Sequence, residues 1–310
     1  MSTLLQSIRS ALGNSVPARR RDRAIVAPAS RPANFHIRNK SEIDGDVDYA
    51  IGNARKYINF LAEMKIELQG ANVLELGPGI NFGSQLILAG EGANCAVADR
   101  FLANWDNGYH PTFYRTLRDR WNKPNAALDA VIAEGGYPSA AIGRIHEPAE
   151  RLHSVPDSQF DAVFSNAVLE HVYDPPAMVR TLARITRPGG VHFHQVDFRD
   201  HRNFDRPLEF LLVAEKEFAK VFEDAHGECG NQWRVSELHA LFERAGFKVT
   251  TVGNKFASAD YLSGFIPRLR TAQSRFSGWP EDDLRIISAY FVLEHQQAKP
   301  DRENAGRLDA

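Results

Sequence analysis

The chain has 310 residues, 43% hydrophobic and 25% charged, enough to bury a sizeable core as one large domain or two small ones. Its 37 basic and 39 acidic side chains leave a formal net charge of −2, so no overall basic field exists to hold nucleic acid. No apolar run approaches the roughly 20 residues of a membrane span, and Cys95 and Cys229 form no paired spacing of a disulfide framework or zinc site, which fits a reducing, cytoplasmic setting.

Residues 1–46 read as an irregular arm, rich in Pro, Arg, Asn and Ser. Its first 23 residues carry no acid before Asp22, and Leu4, Leu5, Ile8 and Leu12 fall on one helical stripe. Transit peptides and membrane-surface helices share that composition, but a mobile or docked tail is the plainer expectation. Tyr49, Ile51, Ala54, Ile58, Leu61 and Met64 predict a helix over 46–68. Residues 71–76 form an apolar run stopped by Gly-Pro-Gly, the mark of a buried strand, followed by a helix over 82–88. Strands are expected at 94–98, 144–146, 160–165 and 191–196, with helices at 126–134 and 177–185 between them. A helix over 208–222, another over 235–245 and strands at 247–252 and 286–293 complete the domain. Residues 297–310 form a polar tail, and 101–125 and 198–233 interrupt the alternation as insertions over the substrate. Strand–helix alternation predicts a mostly parallel, doubly wound sheet, whose ligands bind beyond the carboxyl ends of the strands.

The glycine turn, Asp99 and the two motifs after it fall at such ends. Val73-Leu74-Glu75-Leu76-Gly77-Pro78-Gly79 runs a strand into a glycine turn, where the backbone can approach a ligand closely. The spacing Gly77, Gly79, Gly83 is one residue too long for a pyrophosphate-binding turn, and the Glu75 carboxylate suits a cationic ligand better. Asp99 ends the second strand about 20 residues on, as an acid that accepts both ribose hydroxyls does. Then come Glu147-Pro148-Ala149-Glu150 and Phe160-Asp161-Ala162-Val163-Phe164-Ser165-Asn166-Ala167-Val168-Leu169-Glu170-His171-Val172, closed by Arg187-Pro188-Gly189-Gly190.

Taken in order, these motifs resemble the class I S-adenosylmethionine-dependent methyltransferases over roughly residues 70–200, and the last strand pair more loosely. The resemblance implies a Rossmann-like seven-stranded sheet with an antiparallel last strand, spanning 47–296, and S-adenosylmethionine as cofactor with S-adenosylhomocysteine as product. It implies that Glu75, Gly77, Pro78 and Gly79 line the methionine end. Asp99, with Arg100 beside it, holds the ribose, and Ala149 and Glu150 flank the adenine. Ser165, Asn166 and His171 sit near the cofactor and the reacting centre. The family's third glycine commonly falls where this chain has Asn81. Asp174-Pro175-Pro176 looks like part of the motif of nucleic-acid base methyltransferases but follows the Leu169-Glu170-His171-Val172 turn, so base methylation is not expected.

A hydroxyl acceptor needs a general base. His194 and His201 flank the end of the fifth strand, with Asp197 between them to orient one, and these three are the catalytic candidates. His192, His194, Asp197 and His201 could be taken for a metal cluster; their strand-then-loop context gives no fixed ligand spacing, and no metal site is assigned, although some sugar methyltransferases of this fold use a divalent ion. Trp105, Tyr109, His110 and Tyr114 are the candidate acceptor wall, with residues 199–233 as a second. Stretches such as WDNGYHPTFYRTLRDR and HQVDFRDH resemble methyltransferases encoded with bacterial glycan-assembly genes, which implies O-methylation of a sugar, a glycan or a small hydroxylated metabolite. An N- or C-methyltransferase and a non-catalytic binding protein are the alternatives, the latter opposed by the intact glycine turn and Asp99.

Overall fold

The computed structural model describes residues 40–225 and 227–296. Helix α1 (Lys40–Glu63) leads into β1 (Asn72–Leu76), α2 (Gly83–Gly90) and β2 (Asn94–Ala98). Then follow α3 (His110–Trp121), α4 (Ala126–Glu134), β3 (Gly143–Ile145), β4 (Phe160–Asn166), a 3-10 turn (Leu169–His171) and α5 (Pro175–Ile185). The chain ends with β5 (Thr186–Asp197), a 3-10 turn (Glu209–Leu212), α6 (Glu215–Asp224), α7 (Val235–Arg244), β6 (Phe247–Phe256), α8 (Ala259–Thr271), α9 (Glu281–Leu284) and β7 (Ile286–His295).

The strands form one seven-stranded sheet in the order β3-β2-β1-β4-β5-β7-β6. β1 to β5 pair in parallel, and β7 runs antiparallel to both β5 and β6. This is the Rossmann-like arrangement with the expected antiparallel last strand. Strand periodicity sorts the core into two layers. Val73, Phe164 and Phe193 face α1 to α4, against Tyr57 and Phe60. Leu74, Val163 and Val196 face α5 and α7, against Leu182, Leu238 and Phe242. Phe210, Phe218, Phe222 and Phe265 build a third cluster, joining the second 3-10 turn, α6 and α8.

Several boundaries differ from the sequence expectations. Helix α1 starts at Lys40, so residues 40–46 of the expected arm are its first turns; residues 1–39 and the tail 297–310 lie outside the described residues. The helix expected over 208–222 is broken at Val213 and Ala214, which are extended, so that a 3-10 turn and α6 share the span. Helix α8 was not expected, because Pro267 lies inside it and interrupts the helical pattern. Asp174-Pro175-Pro176 is a helix start: Asp174 Oδ1 accepts the Ala177 N–H at 2.9 Å, and proline occupies the first helical turn.

Candidate active site

The carboxyl end of β1 opens into Gly77 (φ +60°) and Gly79 (φ +77°), both left-handed, a conformation only glycine adopts without strain. A Cβ on Gly77 would run into the Val168 side chain, whereas one on Gly79 would meet nothing within 4 Å among the described residues. Packing therefore requires the first glycine, and the second leaves room for a ligand against its backbone. Asn81 replaces the missing third glycine in a structural role: its Oδ1 accepts the Gly83 N–H at 3.1 Å and its Nδ2 donates to the Tyr109 hydroxyl at 3.0 Å. Gly83 serves helix packing, since its Cβ would press on Ala50 at 2.8 Å.

Glu75 is buried, and both its oxygens are engaged. Oε1 accepts the Tyr57 hydroxyl at 2.9 Å, and Oε2 accepts Ser84 Oγ at 2.8 Å. Burial pushes its pKa up against these bonds. Asn166 Nδ2 donates to the same Tyr57 oxygen at 2.6 Å, so α1 ties together the ends of β1 and β4. Tyr57 lies outside the sequence candidates and outside the stripe that predicted the helix.

Asp99 sits at the end of β2 with Oδ1 accepting the Phe101 N–H at 2.6 Å, and burial raises its pKa. The Arg100 guanidinium lies 4.6 Å from the Tyr173 ring centroid and 3.4 Å from Glu150 Oε1, which also accepts the Tyr173 N–H at 2.8 Å. Asp99 and Arg100 thus meet Glu150 of the loop after β3, where Ala149 is half-buried.

Other expected residues are elsewhere. Ser165 and His194 are fully buried, with Ser165 Oγ 2.7 Å from His194 Nδ1 and His194 Nε2 3.1 Å from His192 Nδ1. The His194 ring lies on Phe242 in the α7-side core, and burial lowers its pKa to about 3. Both side chains are sealed in the core and engaged with each other, so His194 offers no exposed nitrogen to take up a proton. Its position in β5 set which face it occupies, and that face is packed. Tyr109, His110 and Tyr114 are also core residues and not an acceptor wall. Trp105, His110 and Tyr114 stack, with Tyr114 5.7 Å from Trp105 between ring centroids. His110 Nε2 lies 2.8 Å from the Ile80 carbonyl, and the Tyr114 hydroxyl accepts the Phe82 N–H at 3.2 Å. They brace the glycine turn from behind.

At the end of β5, Arg199 grips Asp197, with Nε 2.8 Å from Oδ1. Burial raises the Asp197 pKa, but bonds from Arg199 and His201 outweigh it and hold the carboxyl well below the usual range. His201 Nε2 stands 3.7 Å from Asp197 Oδ2. The half-exposed Phe204 (52%) carries the Arg199 guanidinium at 4.2 Å and the His201 ring at 5.4 Å. Opposite them, Glu170 and His171 project from the turn after β4, and His171 Nδ1 is 2.7 Å from the Gly227 carbonyl. The loop after β5 is anchored by Arg234, fully buried, whose guanidinium donates to the carbonyls of Phe198 (3.2 Å), Asp283 (3.0 Å), Leu284 (3.1 Å) and Ile286 (2.6 Å). A cavity of about 760 Å³ opens at the opposite, amino end of β1, β2 and β4, lined mostly by alanine and other small side chains, away from all of these groups.

Residues 48–252 match the family model for the methyltransferase domain. The ubiquinone biosynthesis O-methyltransferase of Bordetella bronchiseptica is 29% identical over 103 residues, 33% of this chain and 41% of that protein. The one from Pseudomonas fluorescens is 31% identical over 104 residues, 34% and 43% of the two chains. The match thus spans less than half the length of these curated relatives. A Mesorhizobium loti S-adenosylmethionine-dependent methyltransferase structure has a TM-score of 0.45 at 15% identity, covering 81% of this chain and 99% of that one. A Haemonchus contortus phosphoethanolamine N-methyltransferase 2 structure has 0.45 at 14%, covering 84% and 58%. Among the described residues no helix is long and apolar enough to cross a membrane. With two-thirds of its length matched by the family model over the very span that carries the glycine turn, Asp99 and the β4 motif, the chain belongs to the methyltransferase-domain family.

Proposed function

We propose that this protein methylates an oxygen of a small hydroxylated acceptor, a sugar or glycan foremost, with S-adenosylmethionine as donor. The observation that carries the reading is the open backbone at Gly79 beside the Asp99 carboxylate, at adjacent strand ends. Those residues fit the cofactor: Gly77, Pro78 and Gly79 cradle its amino-acid end, Asp99 accepts its ribose hydroxyls, and Ala149, Glu150 and Arg100 border its adenine. Glu75 and Asn166 act through Tyr57, holding the turn in shape. S-adenosylmethionine held there would supply a methyl carbon activated by its sulfonium, with S-adenosylhomocysteine as the leaving group. The chain positions the oxygen, a contribution on the order of 7–11 kcal/mol in well-oriented reactions.

Activation of the hydroxyl falls to the group beyond β4 and β5, where His201 is the remaining histidine of the two candidates. Phe204 and Arg199 offer an aromatic face and a cation to the acceptor, in the second of the two expected wall segments. The names of the curated O-methyltransferases support oxygen over nitrogen or carbon as the acceptor atom. Calorimetry tests the cofactor: micromolar or tighter binding of S-adenosylmethionine and S-adenosylhomocysteine is expected, with none of NAD. Isotopic methyl transfer to a panel of sugars, glycans and phenols tests the acceptor. Tight NAD binding with no S-adenosylmethionine signal sinks the reading, and label confined to amine acceptors sinks its oxygen half.

A further inference from the structure

Glu170, His171 and His201 each bring one potential ligand atom to a common point, all within 4.8 Å of one another. They come from two strand ends, the turn after β4 and the loop after β5, so the fold and not sequence adjacency assembles them. Glu170 is 2% exposed, and its Oε2 is buried with no hydrogen-bond partner among the described residues. His201 Nε2 is likewise buried and makes no hydrogen bond of normal length, its Asp197 Oδ2 neighbour standing 3.7 Å away. A buried, unbonded carboxylate oxygen is costly, and a cation held in common by the three side chains would offset that cost.

We infer that Glu170, His171 and His201 bind a divalent cation beside the proposed methyl-transfer site. An ion about 2.0–2.2 Å from each ligand atom would draw the three to roughly 3–3.5 Å apart, within reach of side-chain rotation. The His171 ring is already set for this role. A carbonyl can only accept, so Nδ1–H donates to Gly227 and the ring lone pair lies on Nε2; such an outer-sphere bond is the usual support of a metal-ligating histidine. Gly227 itself is restricted: its φ is +75° and a Cβ would sit 3.2 Å from Phe222 Cζ. Two imidazoles and one carboxylate favour a transition-series ion such as Zn²⁺ or Mn²⁺ over Mg²⁺, whose preferred ligands are oxygens. Three protein ligands leave positions for acceptor oxygens, and an ion there lowers the pKa of a bound hydroxyl so that its proton passes to water. His201 then serves as a ligand. This role rests on the proposed function, whereas the cation site does not.

The test uses the full chain, stripped with chelator and titrated with Zn²⁺, Mn²⁺ or Mg²⁺ alone, with bound metal measured by equilibrium dialysis and Co²⁺ ligation read by visible absorption. One Zn²⁺ or Mn²⁺ per chain is expected, with Mg²⁺ weaker and a Co²⁺ spectrum of nitrogen–oxygen ligation. Glu170→Gln and His201→Ala should each weaken binding by more than the ~10–100-fold that an outer-sphere loss costs. No stoichiometric binding by the wild-type chain, or equal affinity in folded His201→Ala, overturns the site; the Co²⁺ spectrum decides it without any variant. Metal binding without methyl transfer would defeat only the proposed function. Methyl transfer that persists in chelator, from a chain that binds no metal, would defeat only the cation site.

Discussion

The Tyr57 hydroxyl donates to Glu75 Oε1 at 2.9 Å while its ring stacks on Phe164 at 4.1 Å, joining α1 to the two central strands through one side chain. Glu75 is buried behind this contact. Tyr57→Phe keeps the stacking and removes the donor, so the carboxylate oxygen is left unsatisfied. The variant should lose about 1–3 kcal/mol of stability by denaturant unfolding, with weaker cofactor binding as the turn loosens. An unchanged denaturation midpoint would show that the bond contributes nothing.

Gly77→Ala combines a left-handed φ with a collision against Val168. It should cost more than about 1 kcal/mol and impair cofactor binding together. The double variant with Val168→Ala should recover only the part due to the collision. Full recovery would mean that the backbone conformation is not strained.

Asp99→Ala should weaken cofactor binding by roughly 1.5–3 kcal/mol, read by calorimetry, and leave the fold intact. Ribose binding favours the ionised carboxylate, and burial raises the pKa of Asp99. Wild-type affinity should therefore fall on acidification from a higher pH than an exposed aspartate would give. A folded variant with unchanged affinity would mean that the ribose lies elsewhere.

His192 and His194 are buried and held below the ordinary histidine pKa of 6.5, His194 at about 3. With the folded pKa depressed, their contribution to stability is complete above the unfolded pKa and is lost as pH falls from about 6.5 towards the folded value. Urea midpoints should decline steadily below pH about 6.5 as unfolding takes up protons. Midpoints flat down to pH about 5 would contradict the burial of neutral rings.

His201→Ala should lower turnover by about 10²–10⁴ with normal cofactor affinity. His194→Asn should act through stability instead, because His194 is walled off by Ser165 and Phe242. Equal turnover for His201→Ala and wild type would remove the group beyond β5 from the chemistry.

Much of the frame was legible because backbone rules wrote it. The alternation of apolar runs and helical stripes predicted the sheet, and Gly-Pro-Gly and Asp99 marked two strand ends. The departures come from tertiary packing, which periodicity does not report. Ser165 and His194 differ by strand register from neighbours that face the site, and an aromatic cluster rich in histidine and tyrosine reads alike as acceptor wall or core. The meeting of Glu170 and His171 with His201 depends on where two loops cross, some thirty positions apart in the chain.

Arg234 separates the frame of the β5 loop from some of the side chains the loop displays. One guanidinium, sealed from water, ties the Phe198 carbonyl, just before the segment that displays Arg199, His201 and Phe204, to the carbonyls leading into β7. The Phe198 end of that segment is held by main-chain carbonyls, and its middle by Asp200 and Asn203, whose Oδ1 atoms accept the N–H groups of Arg202 and Asp205. Replacing His201 or Phe204 should therefore leave the course of the chain unchanged, whereas Asp200, buried under Arg202, belongs to the frame. Arg234 itself tolerates no such drift, for lysine has neither the planar fork nor enough donors to replace it.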